Sequence, residues 1–223
     1  MYCMLINRRA CEYPDSFLLE MLKWKHPFTA TVAGPTGCGK TQFTFRLIEN
    51  ASAMIDPPPR KIWYCYGEYQ PLFARYPQVI FNEGLPEVGN FDGKDPTLLV
   101  LDDLMQETND TVANIFTKIS HHRNVSVLYL AQNLFPRNKH ARTISLNSHY
   151  LVLFKNPRDA GQIAVLARQM YPNGSKFAVE AFKDATDKPY GYLLIDLKPD
   201  TEEKLRLRTG VFPGEQTAVY VKK

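Results

Sequence analysis

"GPTGCGKT", residues 34–41, is the stretch whose reading decides the fold. It satisfies G-x-x-x-x-G-K-[ST], the Walker A pattern, at every fixed position. Gly37 and Gly39 permit the unusual φ/ψ that turn successive backbone N–H groups inward around an anion. The next residues, "KTQFTFRLIENA" (40–51), carry Phe43, Leu47 and Ile48 at helical spacing. A helix there aims its free first-turn N–H groups at the same anion. The preceding "FTATVA" (28–33) reads as a strand rich in β-branched residues. A chance match would lack this strand–loop–helix setting. The loop Gly34, Pro35, Thr36, Gly37, Cys38, Gly39, Lys40 and Thr41 is therefore expected to hold ATP. Lys40 would lie near the β/γ-phosphates, and the Thr41 hydroxyl would bind Mg²⁺.

Outward from this loop, strand and helix patterns alternate. Strands are expected at 61–66, 79–81, 126–131, 149–154 and 191–197, and helices at 111–122 and 159–170. "TLLVLDDLM" (97–105) is a continuous apolar run closed by two aspartates, as in a strand buried on both faces. The alternation predicts an α/β fold of the P-loop NTPase type, with a mostly parallel central sheet flanked by helices. The chain divides into an N-terminal extension (1–25), the P-loop domain (26–198) and a charged, partly mobile tail (199–223).

A P-loop needs an acid on a neighbouring strand to hold the metal. Asp102 is the candidate for Mg²⁺, through water. Asp103 is the candidate base for the attacking water, with Glu68 in "YCYGEYQ" as a fallback. The competing reading has both aspartates capping a following helix. The strand "SVLYLA" ends on Gln132. Ligands bind outside the carboxyl ends of parallel strands, so this neutral amide is placed to sense a γ-phosphate without adding repulsion. Considered alone, it would be an ordinary surface amide.

Composition bounds the rest. The 223 residues are 44% hydrophobic, enough for one sizeable domain. The net charge of +4 says little, but residues 111–158 contain no Asp or Glu. Arg137, Lys139 and Arg142 in that window suit a DNA backbone, although a solvated basic face is the plainer alternative. Cys3, Cys11, Cys38 and Cys65 have no C-x-x-C spacing, so neither zinc nor a redox pair is indicated. No secretory leader or membrane span is expected.

"GPTGCGKT", "LLVLDD", "YLAQNLF", "SLNSHYLVLFKNPRD" and "LRLRTGVFPGE" together resemble the FtsK/HerA-type packaging ATPases of DNA viruses. The likeness is greatest to the poxvirus-type enzymes of Maverick/Polinton elements and adintoviruses. It implies an ASCE, RecA-like core and a motor that moves double-stranded DNA into a preformed capsid. It also implies a homo-oligomeric ring at a capsid vertex, within an infected cell, in nucleus or cytoplasm or with the virion. An arginine finger offered to a neighbouring subunit is implied as well. Arg123 is the first candidate, with Arg142 and Arg158 open. A helicase or replication ATPase, a P-loop small-molecule kinase and a non-hydrolysing nucleotide binder are the rival readings.

Overall fold

The apolar runs of the sequence become the middle of one twisted sheet. The computed structural model describes residues 4–5, 21–104, 112, 114–116, 120–135, 141–158 and 160–222, with backbone alone at 4, 5, 88, 121, 141 and 142. Its strands are β1 (Met4–Leu5), β2 (Trp24–Lys25), β3 (Thr29–Ala33), β4 (Ile55–Asp56), β5 (Lys61–Tyr66) and β6 (Ile80–Glu83). They continue with β7 (Thr97–Asp102), β8 (Val125–Ala131), β9 (Tyr150–Phe154), β10 (Tyr192–Asp196), β11 (Leu207–Thr209) and β12 (Ala218–Tyr220). Ten of them form a sheet in the order β1-β12-β11-β10-β9-β3-β8-β7-β5-β6, and β2 pairs with β4 apart from it. The six strands from β9 to β6 are mutually parallel. β10 runs antiparallel to β9. The expected mostly parallel α/β sheet is thus present.

The central strands are buried throughout and mostly apolar because both faces are covered. Along β7, Leu98 and Val100 join the core on one face, while Leu99 and Leu101 join the core on the other. β8 splits Leu128 and Leu130 from Val127 and Tyr129 in the same way. The helix α1 (Lys40–Glu49) buries Phe43, Phe45, Leu47 and Ile48 against the first face. Each such side chain contributes roughly 1.5–3 kcal/mol. Helices α2 (Ala160–Met170) and α3 (Ser175–Ala185) cover β9 and β10 on the opposite face through Leu166, Ala181 and Phe182. α3 is absent from the sequence reading, although Ala178, Ala181, Phe182 and Ala185 carry a helical spacing. Of the helix expected at 111–122, residues 112, 114–116 and 120–122 are described, with a helical turn at Ser120–His122, and the others lie outside the described residues.

Part of the charged tail belongs to the sheet. β11 and β12 extend the sheet beyond β10, and β1, from the expected N-terminal extension, pairs in parallel with β12. The reason is apolar spacing hidden among the charges: Leu207, Phe212, Val219 and Tyr220 are all buried. Arg208 is buried too, and its guanidinium meets the Asp196 carboxylate at 3.1 Å. Phe212 reaches the P-loop helix, with its ring centroid 5.0 Å from that of Phe43 and the Arg46 guanidinium 4.1 Å above it. Arg46 also pairs with Glu215 at 2.6 Å.

Candidate phosphate-binding site

β3 ends at Ala33, and the chain then turns through the glycine loop into α1. Gly37 (φ 77°) and Gly39 (φ 108°) both take the left-handed conformations that their residue type permits. Gly34 is needed for a different reason: a Cβ there would lie 2.6 Å from the Cys38 sulfur and 2.7 Å from the Phe154 Cβ. The first turn of α1 holds no acidic residue, so nothing negative competes for its free N–H groups. The Lys40 ammonium donates to the carbonyls of Gly34 and Pro35 at 2.7 and 3.1 Å, which holds the charge over the loop.

The sheet order brings the other candidates here. β8 lies between β3, which feeds the loop, and β7, which carries the aspartates. The Gly34 N–H donates to the Ala131 carbonyl at 3.1 Å, tying the start of the loop to the end of β8. Gln132 follows directly. A cavity of about 330 Å³ is lined by Thr36, Gly37, Gly39, Lys40 and Thr41, by Asp102 and Asp103, and by Gln132.

Asp102 is buried, and burial raises its carboxyl above the ordinary range; the Tyr64 hydroxyl, donating at 2.5 Å, acts the other way. Asp103 turns out of the strand with φ 54°, a left-handed conformation for a non-glycine residue. The Thr41 hydroxyl and the Asp102 carboxylate offer the hard oxygen donors that Mg²⁺ takes together with phosphate oxygens. The residues present thus fit that ion.

Some candidates lie elsewhere. Glu68 is exposed and does not line the cavity. Arg123 stands just before β8, at the end of the sheet away from the loop, where its guanidinium donates to the Phe91 carbonyl at 2.8 Å. The seven residues of β8 put it about 23 Å from Gln132. A role in its own chain's cavity is therefore out of reach. Arg158 is exposed in the turn after β9. Arg137 and Lys139, and the side chain of Arg142, lie outside the described residues.

Three participants escaped sequence reading. Tyr64 reaches Asp102 only because β5 and β7 are paired. Gln70 enters the cavity from the loop after β5, and Tyr190 from the turn before β10. Gln70 and Tyr190 sit in no motif, so no local signal could have found them.

The fold and this cradle define a P-loop α/β protein. No protein-family model matches the chain. A 42-residue stretch, 19% of the chain, is 50% identical to Packaging protein 1 of Snake adenovirus serotype 1 and covers 9% of that relative. The chain thus spans less than a tenth of the curated relative's length. Among solved structures it is similar to the genome packaging NTPase of Sulfolobus turreted icosahedral virus 2, determined with ATP-gammaS. That likeness has a TM-score of 0.46 and 11% identity, over 76% of this chain and 92% of that one. The DNA-packaging ATPase of Sulfolobus turreted icosahedral virus gives a TM-score of 0.47 and 12% identity, over 77% and 93%.

Among the described residues, no helix is long and apolar enough to cross a membrane.

Proposed function

We propose that this chain is an ATP-hydrolysing motor that drives double-stranded viral DNA into a capsid. The observation that carries the reading is convergence: Lys40 and Thr41 from the start of α1, and Asp102, Asp103 and Gln132 from the ends of two adjacent parallel strands, line a single cavity. The likeness of a 42-residue stretch to an adenoviral packaging protein agrees with it.

In this reading the loop amides and Lys40 bind the phosphates. Thr41 and Asp102 hold Mg²⁺, which when bound offsets phosphate charge. Asp103 takes a proton from the attacking water as its oxygen bonds to the γ-phosphorus and the bridging bond to ADP breaks. The Gln132 amide donates to a γ-phosphate oxygen and orients that water. Arg123, from a neighbouring subunit of a ring at the capsid vertex, stabilises charge on the transferred group. Arg137, Lys139 and Arg142 contact the DNA backbone without reading sequence.

The test is ATP turnover with and without duplex DNA, beside a sizing measurement. Stimulation by DNA, in an assembly larger than a monomer, is expected. Gln132→Ala should lower kcat by about 10²–10³ while ATP affinity stays within a few-fold, as for loss of one transition-state donor. Stimulation by a small acceptor instead of DNA would make the chain a kinase. DNA strand separation would make it a helicase.

A further inference from the structure

We infer that Tyr190 is the stacking platform for the nucleobase, an assignment that rests on the nucleotide reading above. Three observations meet there. First, Tyr190 is 65% exposed, yet it lines the phosphate cavity. A Cβ placed on Gly39 would lie 3.3 Å from its ring carbon Cδ1, so the ring rests against the glycine loop.

Second, its backbone has φ 61°, a conformation that bulky residues avoid. The surrounding turn allows no easy escape. The Gly191 N–H donates to the Lys188 carbonyl at 3.0 Å. A Cβ on Gly191 would stand 2.5 Å from the Ala185 carbonyl oxygen and 2.9 Å from that of Lys188. Glycine would take the left-handed position without strain, but the chain has tyrosine there. Strain held at a ligand pocket points to use.

Third, the sheet order gives the cavity two ends. Asp102 ends β7 and Gln132 follows β8, both on one side of β3, and they suit the γ-phosphate end. Tyr190 precedes β10, beyond β9, on the other side of β3. A nucleotide whose terminal phosphate faces the aspartates therefore sends its sugar and base towards Tyr190. An exposed phenol ring offers any base its π-face, so the site favours nucleotides over bare polyphosphate and separates adenine from guanine only weakly.

The test uses calorimetric titration of the full chain, in Mg²⁺, with ATP, GTP and inorganic tripolyphosphate. Tyr190→Ala and Tyr190→Gly should each lose about tenfold or more in ATP and GTP affinity, while tripolyphosphate binding stays within twofold. Tyr190→Phe and Tyr190→Trp should retain nucleotide affinity. Tyr190→Gly relieves the backbone, so its agreement with Tyr190→Ala assigns the loss to the ring. Unchanged ATP affinity in both small variants would overturn the inference, as would an equal loss for ATP and tripolyphosphate. If the unaltered chain bound neither ligand, the nucleotide reading itself would fall.

Discussion

At the scale of single residues, the site works by placing polar groups where water is scarce. Asp102 is the clearest case, a carboxylate ending an apolar strand and held by the Tyr64 hydroxyl. Tyr64→Phe removes that donor and should lower stability to urea by about 1–3 kcal/mol, the cost of leaving a buried acceptor unpaired. In an Asp102→Asn background the same change should cost clearly less; equal costs would mean the two groups are not coupled. His26 makes a second test. Its Nδ1 lies 2.6 Å from the Ser126 hydroxyl and its Nε2 2.8 Å from the Asn124 side-chain oxygen. Burial lowers its pKa below 6.5. On acidification the unfolded chain takes up that proton first. Stability is therefore complete above pH 6.5 and declines as pH falls from there through the folded-state value. Urea midpoints across this window should slope less for His26→Gln than for the unaltered chain. The Asp-Asp pair was legible because acids at the end of an apolar strand stand out. Tyr64 and His26 were not, since their partners are 38 and 98–100 residues away.

At the scale of elements, the C-terminal segment is a structural part of the P-loop domain. Phe212 packs on Phe43 of α1, and β11 covers the open edge of β10. Phe212→Ala should cost about 3–5 kcal/mol, as for other buried phenylalanines. Because Phe43 belongs to the helix that begins at the phosphate cradle, the variant should also bind nucleotide more weakly. A chain ending before Pro199 exposes the β10 edge and strips Arg208 from Asp196, leaving that carboxylate without its guanidinium partner. It should be insoluble or quickly degraded by protease; a soluble, protease-resistant product would reverse this view of the tail. The central strands were readable because two-sided burial leaves unbroken apolar runs. β11 and β12 were not, since three residues are too few to show a period and their role comes from the edge they cover.

At the scale of the whole molecule, the cavity and Arg123 lie at opposite ends of the sheet. The phosphate cavity lies at the carboxyl ends of the parallel strands, and Arg123 at the opposite end of β8. If Arg123 serves a neighbour, inactive Arg123→Ala subunits mixed with inactive Lys40→Ala subunits should regain ATP turnover. Failure to recover activity with assembly intact would remove Arg123 from that role. Neutralising Arg137, Lys139 and Arg142 should reduce DNA stimulation and flatten its salt dependence, by about 0.9 in the log–log slope for each phosphate left without its cation. By itself the sequence determined the glycine cradle, the strand-ending Asp102, Asp103 and Gln132, and the α/β alternation. Each of these is written in residues within a few positions of one another, where backbone conformation and burial leave a local pattern. Only the tertiary structure decided that β8 runs between β3 and β7, that the tail extends the sheet, that Tyr64 holds Asp102, and that Gln70 and Tyr190 complete the cavity. Those outcomes depend on which distant segments pair, and pairing is settled by the joint burial of many side chains, which no single stretch records.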